Sequence, residues 1–445
     1  MPKSLTFDIS LEKLTYGGDA MGRLPDGRAV FVPFGLPGEL VRVRLTQEKQ
    51  SFARGQLLEV LQASPERIEP KCKHFFSLLP PGEGAGMRAC GGCHYQNMSY
   101  EKQLQAKTEI LRDQLHRIGK IENPPVKAME ASPLEWNYRN HMQFHLTEDG
   151  KLGYVFPLPS GEGRRCTEPV EVVRAIEECH LPETSINTFW PELHFESNKD
   201  IERVSLRCGQ GDELMLVLES ETDETPELEI EADISVVHIY EDHPVVIAGR
   251  DHLFVNILNK DFRVSAASFF QVNTKMAEKM VEYLLACLPA SPWRRGDISL
   301  SVNLLDVYCG AGLFSKFLAP KYEKVIGIES SPSACEDFEF NLDEFDNVEL
   351  YEGAAEEILP ALVDRIGNLI YAIVDPPRAG IEKRALDAVT NIKPQIIAYV
   401  SCDPSTLARD AARLIHGGYR LAEVTPFDLF PQTYHIESIS IFELM

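Results

Sequence analysis

At 445 residues, with 44% hydrophobic and 25% charged side chains, the chain is too long for one ordinary domain and has a globular composition, so two or three domains are expected. A formal net charge of −24 argues against binding nucleic acid by bulk charge. No apolar run approaches the length of a membrane span, and Met1-Pro2-Lys3-Ser4 leads into no signal-peptide core, which makes a cytoplasmic location the expectation. Ten cysteines in such a chain point to metal binding or catalysis rather than to disulfides.

Residues 1–62 read as an all-β domain. Leu5-Thr6-Phe7-Asp8-Ile9, Arg28-Ala29-Val30-Phe31-Val32, Glu39-Leu40-Val41-Arg42-Val43-Arg44-Leu45 and Gly55-Gln56-Leu57-Leu58-Glu59-Val60-Leu61 are short strand patterns between Gly/Pro turns, which predicts a small barrel. The phrase from Tyr16-Gly17-Gly18 through Gly22-Arg23 and Val32-Pro33 to Leu36-Pro37-Gly38-Glu39 resembles a TRAM domain, and that resemblance implies an OB-like, RNA-binding barrel. Eight basic side chains against seven acidic ones set this stretch apart. By contrast, Glu219 to Glu231 carries seven acids and no base and reads as a solvated loop.

Residues 63–260 are expected to form a second, mainly β domain. Cys90-Gly91-Gly92-Cys93 places two sulfurs around one metal, and Cys72 precedes it across a Pro/Gly-rich insertion at 79–84. A fourth ligand is needed, with Cys166 and Cys179 as candidates; spacing alone does not separate zinc from iron–sulfur. Residues 99–119 predict a helix capped by Ser99, with a stripe of Leu104, Leu111, Leu115 and Ile118 and a stop at Gly119. Trp136-Asn137-Tyr138-Arg139-Asn140-His141 then leads into a hairpin over 142–146 and 152–156. Tyr138, Arg139 and His141 are candidates for phosphate or base contacts.

From residue 261 strands and helices alternate, the signature of a doubly wound sheet. Strands are expected at 302–308, 324–329, 348–352, 368–375 and 396–400, with a late one at 434–442. The turn Cys309-Gly310-Ala311-Gly312 lets a backbone approach a ligand closely. Glu329, nineteen residues beyond Gly310, stands where an acid reaches ribose hydroxyls. Residue 315 is Ser, so the phosphate-binding Gly-x-Gly-x-x-Gly is incomplete, which favours a cofactor without pyrophosphate, such as S-adenosylmethionine. Two prolines hold Asp375-Pro376-Pro377-Arg378 extended and aim Asp375 at the crevice that Cys402 faces. Cys402 ends an apolar strand just before Pro404 opens a helix, and closeness to that helix N-terminus predicts a lowered thiol pKa. Tyr308, Glu329, Asp375 and Cys402, all at strand ends, make one shared site.

Ser268-Phe269-Phe270-Gln271-Val272-Asn273, Asp306-Val307-Tyr308-Cys309-Gly310-x-Gly312, Val374-Asp375-Pro376-Pro377-Arg378-x-Gly380, Ser401-Cys402-Asp403-Pro404-x-Thr406-x-x-Arg409-Asp410 and His435-Ile436-Glu437-Ser438 together resemble the RNA uracil-C5 methyltransferase family over nearly the whole chain. The N-terminal part is similar to the branch with a TRAM domain and a [4Fe–4S] cluster, typified by 23S rRNA 5-methyluridine methyltransferases. The resemblance implies an α/β protein with a Rossmann-like class I methyltransferase domain over 261–445. It implies S-adenosylmethionine bound by Gln271, Tyr308, Glu329 and Asp375, Cys402 as nucleophile toward uracil C6, and Glu437 as acceptor of the C5 proton. It implies a cluster on Cys72, Cys90, Cys93 and Cys179, with Cys179 preferred over Cys166 because Ile176-Glu177-Glu178-Cys179 matches the family position. An RNA substrate follows, rRNA before tRNA, with the target base taken out of its stack and a monomer as the default. The sequence departs from the family pattern in its long Cys72-to-Cys90 gap, in His180-Leu181-Pro182 after Cys179, and in Leu313 where Asn is common. The competing readings are an N-methyltransferase, which needs no cysteine at 402, and a catalytically silent RNA-binding protein, which leaves Cys402 and Glu437 without a task.

Overall fold

The computed structural model describes residues 6–75, 77–78, 87–88, 90–157, 171–195, 201–226, 229, 231–241, 243–288, 303–363, 365–366 and 369–445; Cys166 and the insertion 79–84 lie outside them. Strands β1 (Thr6–Leu14), β2 (Ala20–Arg23), β3 (Ala29–Val32), β4 (Leu40–Glu48) and β5 (Phe52–Gln62) close a barrel in the order β1-β2-β3-β5-β4. Strand alternation turns Ile9, Leu11, Val30, Val32, Val41, Val43 and Leu57 inward. Arg42 points outward and is held by Asp8 and Glu59.

A two-residue ladder, β6 (Ser77–Leu78) with β7 (Met87–Arg88), precedes α1 (Tyr100–Arg117). Ser99 caps this helix, its side chain accepting from Lys102 N. The buried face differs from the expected stripe. Leu111 and Leu115 are buried, but Ile118 is 43% exposed, and the polar Gln103 and Lys107 are buried in its place. Ile110, Leu111 and Leu115 join the core of the C-terminal sheet.

The central region is a seven-stranded sheet of β8 (His141–Leu146), β9 (Leu152–Pro157), β10 (Glu171–Ala175), β11 (Ile201–Cys208), β12 (Leu214–Ser220), β13 (Ser235–Tyr240) and β14 (His243–Ala248), with α2 (Thr184–Phe189) between β10 and β11 in the chain. Its order is β10-β9-β8-β11-β12-β13-β14. β8 and β9 form the expected hairpin. Next, β15 (His252–Ile257) and β16 (Lys260–Ser265) form a hairpin that packs with α3 (Thr274–Cys287) on the C-terminal core.

That core is built around β17 (Asn303–Val307), α4 (Leu313–Leu318), β18 (Lys324–Glu329), α5 (Pro332–Asn341), β19 (Val348–Glu352), α6 (Ala355–Leu362), β20 (Leu369–Val374), α7 (Lys383–Ile392), β21 (Ile396–Ser401), α8 (Pro404–His416), β22 (Tyr419–Phe427) and β23 (Glu437–Leu444). The sheet order is β19-β18-β17-β20-β21-β23-β22. β17 to β21 are parallel; β17, β18, β20 and β21 are apolar on both faces because two hydrophobic layers cover them, while β19 is a half-exposed edge strand; β23 runs antiparallel to both β21 and β22. The order reverses beside β17, which opens a crevice at the carboxyl ends of the strands. No helix among the described residues is long and apolar enough to cross a membrane.

Candidate active site

Tyr308 follows β17 in the left-handed conformation (φ 63°), and Gly310 (φ 53°) and Gly312 (φ 85°) complete the turn. A Cβ at Gly312 would lie 2.3 Å from Leu342 Cδ1, so both backbone and space demand glycine. The turn is tied to the end of β18. Gly310 N donates to Glu329 Oε2 at 3.0 Å, while Ser330 and Ser331 N donate to Oε1 at 2.7 and 2.8 Å. Asn341 donates both to Arg263 O of β16 and to Ala311 O, which brings the loop bearing Gln271 to the same edge. Asn140 supports that loop from the central sheet through Gln271 O at 3.2 Å and Val272 O at 2.9 Å. Below the turn, Asp306 is fully buried. It accepts from Ser315 Oγ at 2.6 Å, its Oδ1 has no hydrogen-bond partner among the described residues, and burial pushes its carboxyl up to about 7. Asp375 is half-buried at the end of β20; burial, then the charges of Asp306 and Glu329, push it to about 7 as well.

The thiol stands one strand further along. Ser401 of β21 pairs with Ser438 of β23, which leaves Cys402 and Glu437 at adjoining strand ends, near enough for the Glu437 charge to act on the thiol. The expected lowering of the Cys402 pKa is not found. The thiol is pushed up to about 12 by burial first, then by Glu437 and Asp375, with Arg378 acting against them. The helix N-terminus does not offset this because Asp403 already takes its amides, accepting from Ser405 N at 2.8 Å and Thr406 N at 3.0 Å. Glu437 is 8% exposed; burial and the Asp375 charge hold its carboxyl well above the usual range, with Arg378 pulling the other way. The strand expected over 434–442 begins only at Glu437, because Gln432 turns left-handed (φ 70°) and the Tyr434 and His435 rings pack 4.3 Å apart in the turn.

Several supporting residues were not singled out from sequence. Asp410 accepts from Tyr399 OH at 2.9 Å and Ile381 N at 3.1 Å, and Arg409 Nη2 donates to Ala379 O at 2.9 Å, which fixes the loop after Asp375. Gly380 (φ 78°) is needed there, since its Cβ would meet Asp410 Oδ2 at 2.5 Å. Tyr16 of the barrel donates to Asp403 Oδ2 at 3.0 Å across 387 positions of chain. Asp306, Arg378, Asp403, Arg409 and Asp410 all lie inside motifs visible in the sequence; Tyr16 carries no local signal for its partner.

Cys72, Cys90, Cys93 and Cys179 line one cavity of about 50 Å³ together with Phe75, Tyr154 and others, and none of the crevice residues lines it. Gly92 N donates to Cys90 Sγ at 3.4 Å, and Cys72 N donates to Gln96 Oε1 at 3.0 Å. Burial raises all four thiols, Cys90 to about 12 and Cys179 to about 11. Among the described residues, no group of three or more His, Cys, Asp or Glu forms a ready site for a metal ion. Arg139 borders the cavity, His141 lies across from Arg207 on β11, and Tyr138 OH donates to Pro431 O at 3.0 Å.

Residues 246–443 match the family model described as tRNA (Uracil-5-)-methyltransferase, and residues 5–58 match the TRAM domain. A protein of Aquifex aeolicus (strain VF5) named uncharacterized RNA methyltransferase is 33% identical over 465 residues, covering 99% of each chain. A protein of Halalkalibacterium halodurans with the same description is 31% identical over 473 residues, covering 99% of this chain and 98% of the relative. The solved structure of the Pyrococcus abyssi tRNA (uracil-54, C5)-methyltransferase in complex with S-adenosyl-L-homocysteine shares the fold, with a TM-score of 0.67 and 23% identity over 98% of this chain and 100% of that one. The Glu437 charge acts on the Cys402 thiol where β21 and β23 adjoin, relatives match the chain end to end, and the chain belongs to the RNA uracil-5 methyltransferase family.

Proposed function

We propose that the enzyme methylates C5 of a uridine in RNA, with S-adenosylmethionine as donor, Cys402 as nucleophile and Glu437 as proton acceptor. The observation that supports this most is the closeness of Cys402, Glu437, Asp375 and Arg378: the β21–β23 ladder ends at Ser401 and Ser438 beside the thiol and the carboxyl, and the charges of Glu437 and Asp375 act on the thiol. Gln271, Tyr308, Glu329 and Asp375 hold the cofactor, and the acids at the crevice, buried Asp306 and half-buried Asp375, suit a cationic ligand. The cofactor supplies a methyl group activated on a sulfonium.

In the free enzyme the raised thiol pKa keeps Cys402 protonated. The proton passes to water, and Arg378 favours the thiolate. Cys402 sulfur then bonds to uracil C6, which makes C5 enolate-like and able to take the methyl group. Glu437 removes the C5 proton; the electron pair re-forms C5=C6, the C6–S bond breaks, and the thiolate is regained. A carboxyl whose pKa is held up is a stronger base once ionised, which suits a carbon acid.

Cys72, Cys90, Cys93 and Cys179 are proposed to hold a [4Fe–4S] cluster. An all-thiol donor set around one buried cavity supports this, and bound iron would remove the cost of burying thiolates there. Iron and acid-labile sulfide assays on anaerobically purified protein test it. Ribosomal RNA is placed first as substrate, on the joint resemblance of barrel and cysteine set to that branch. Transfer RNA is the second reading, favoured by the whole-length likeness of fold to the Pyrococcus abyssi enzyme. The reading makes this a cytoplasmic enzyme that works as a single chain, since one copy supplies every crevice residue.

The test is incubation with tritiated S-adenosylmethionine and RNA carrying 5-fluorouridine in place of uridine. Fluorine does not leave as a proton, so a labelled protein–RNA band is expected on a denaturing gel and is absent in Cys402→Ser. Sequencing the trapped RNA names the target. No band, with methyl incorporated into ordinary RNA, overturns the C5 mechanism in favour of N-methyl transfer.

A further inference from the structure

Between β22 and β23 runs a strap, residues 428–436, that ends at Glu437. Four consecutive carbonyls of this strap are each gripped from outside its own strand pair. Leu429 O accepts from Asn273 Nδ2 at 3.1 Å, and Phe430 O from Lys107 Nζ at 3.0 Å. Pro431 O accepts from Tyr138 OH at 3.0 Å, and Gln432 O from His94 N and Tyr95 N at 2.8 and 3.0 Å. Gln432 is also bound through its amide groups: Gln432 N donates to Gln103 Oε1 at 2.9 Å, and Gln103 Nε2 donates to Gln432 Oε1 at 2.9 Å. Gln103 is itself fixed, donating to Tyr95 O at 3.1 Å and Met98 O at 3.2 Å. Lys107 meets Asp428 Oδ1 at 2.6 Å, and both side chains are fully buried.

This is far more restraint than a surface connection needs. A non-glycine residue at φ 70° is disfavoured by itself, and a buried ion pair contributes little net stability against well-packed apolar residues. What such a pair and a reciprocal amide contact do supply is a single geometry. The restrained segment delivers its chain directly into the strand start that carries Glu437.

We infer that Gln103 and Lys107 of α1 are positioning residues for Glu437, clamping the strap so that the carboxylate meets the C5 proton of the methylated adduct. The inference rests on the proposed role of Glu437 as base. Cys402 is held by β21 and by the Asp403 cap of α8, which α1 meets at Gln114 through Ser405 Oγ at 3.4 Å and not at Gln103 or Lys107. Loosening the clamp therefore leaves C6 addition and methyl transfer intact and slows proton removal. The C6–S bond then persists, and the methylated RNA stays covalently joined to the protein.

The experiment follows the full-length enzyme acting on RNA with ordinary uridine and tritiated S-adenosylmethionine, reading turnover and labelled covalent adduct on denaturing gels. Glu437→Gln is the reference and accumulates adduct. For Gln103→Ala, turnover falls about tenfold to a hundredfold, KM for RNA moves less than about threefold, and labelled adduct accumulates on ordinary uridine. Tyr138→Phe removes one strap contact and gives the same pattern more weakly, which keeps the test in force if Gln103→Ala does not fold. Turnover and adduct formation falling together in both variants, or neither changing, overturns the clamp. Absence of adduct in Glu437→Gln removes the base assignment and the clamp's purpose with it, a result distinct from failure of the α1 variants alone.

Discussion

Cys402 and the pair Cys90 and Cys93 share one property, a thiol pushed up by burial, and differ in their charged neighbours and in access. The neighbours that raise Cys402 further are carboxyls, Glu437 and Asp375, with the Arg378 cation opposed to them. The charged neighbours that raise Cys93 are the other three cysteines. Cys402 is half-open to a crevice, whereas Cys90 and Cys93 are only 8% and 6% exposed. A raised thiol pKa thus does not by itself separate the proposed nucleophile from the proposed cluster ligands; the charged neighbours of Cys402 and those of Cys90 and Cys93 do.

The sharpest way to break this contrast is a pair of serine substitutions. Cys402→Ser should lower methyl transfer by on the order of 10⁴-fold or more while leaving the melting temperature nearly unchanged. Cys93→Ser should lower the melting temperature, together with the iron content that the proposed cluster brings, while protein that remains folded still traps 5-fluorouridine RNA. Next in size is Arg378→Gln, which removes the cation that favours the Cys402 thiolate. Iodoacetamide labelling of Cys402 at pH 8, mapped by mass spectrometry, should slow about tenfold, and labelling of Cys90 should not change.

The acids around the crevice give a smaller, pH-dependent effect. Asp306 and Asp375 titrate near 7 in the folded chain, above the ordinary carboxylate value of 3.8. Between about pH 4 and 7 the folded state therefore holds protons that the unfolded chain has released, and stability falls as pH rises through that window, then levels off. Asp306→Asn should flatten the slope, as urea denaturation at pH 5 and pH 8 would record. The smallest effect is expected for Tyr16→Phe, which deletes the bond from the barrel to Asp403. A loss of about 1 kcal/mol, read as a few-fold lower turnover with RNA, would separate this contact from the crevice chemistry.

The barrel and the parallel sheet were legible because their cores need simple alternation or unbroken apolar strands, which are local patterns. The glycine turn was legible too, since Gly312 leaves no room for a side chain. The buried face of α1 was not. Lys107 and Gln103 read as surface residues because their partners, Asp428 and Gln432, lie 321 and 329 positions away. The sign of the Cys402 shift was misread from a feature in plain sight: Asp403 is itself the N-cap that takes the helix amides. The start of β23 was misplaced by three residues because Tyr434, His435 and Ile436 continue an alternating pattern that contacts from another part of the chain interrupt.

β23 is made after β22 but lies between β21 and β22, and β22 has no other strand neighbour in the sheet. A chain emerging during synthesis can pair β17 through β21 and shape the crevice while β22, whose outer edge bonds to residues 125–130, stays open on the side that β23 fills. When β23 arrives it joins β22 to β21 and brings Glu437 beside Cys402 in one move. The order of translation therefore keeps the thiol and the carboxyl apart until the sheet closes, so that completing the architecture and acquiring the chemistry are a single event in the life of the chain.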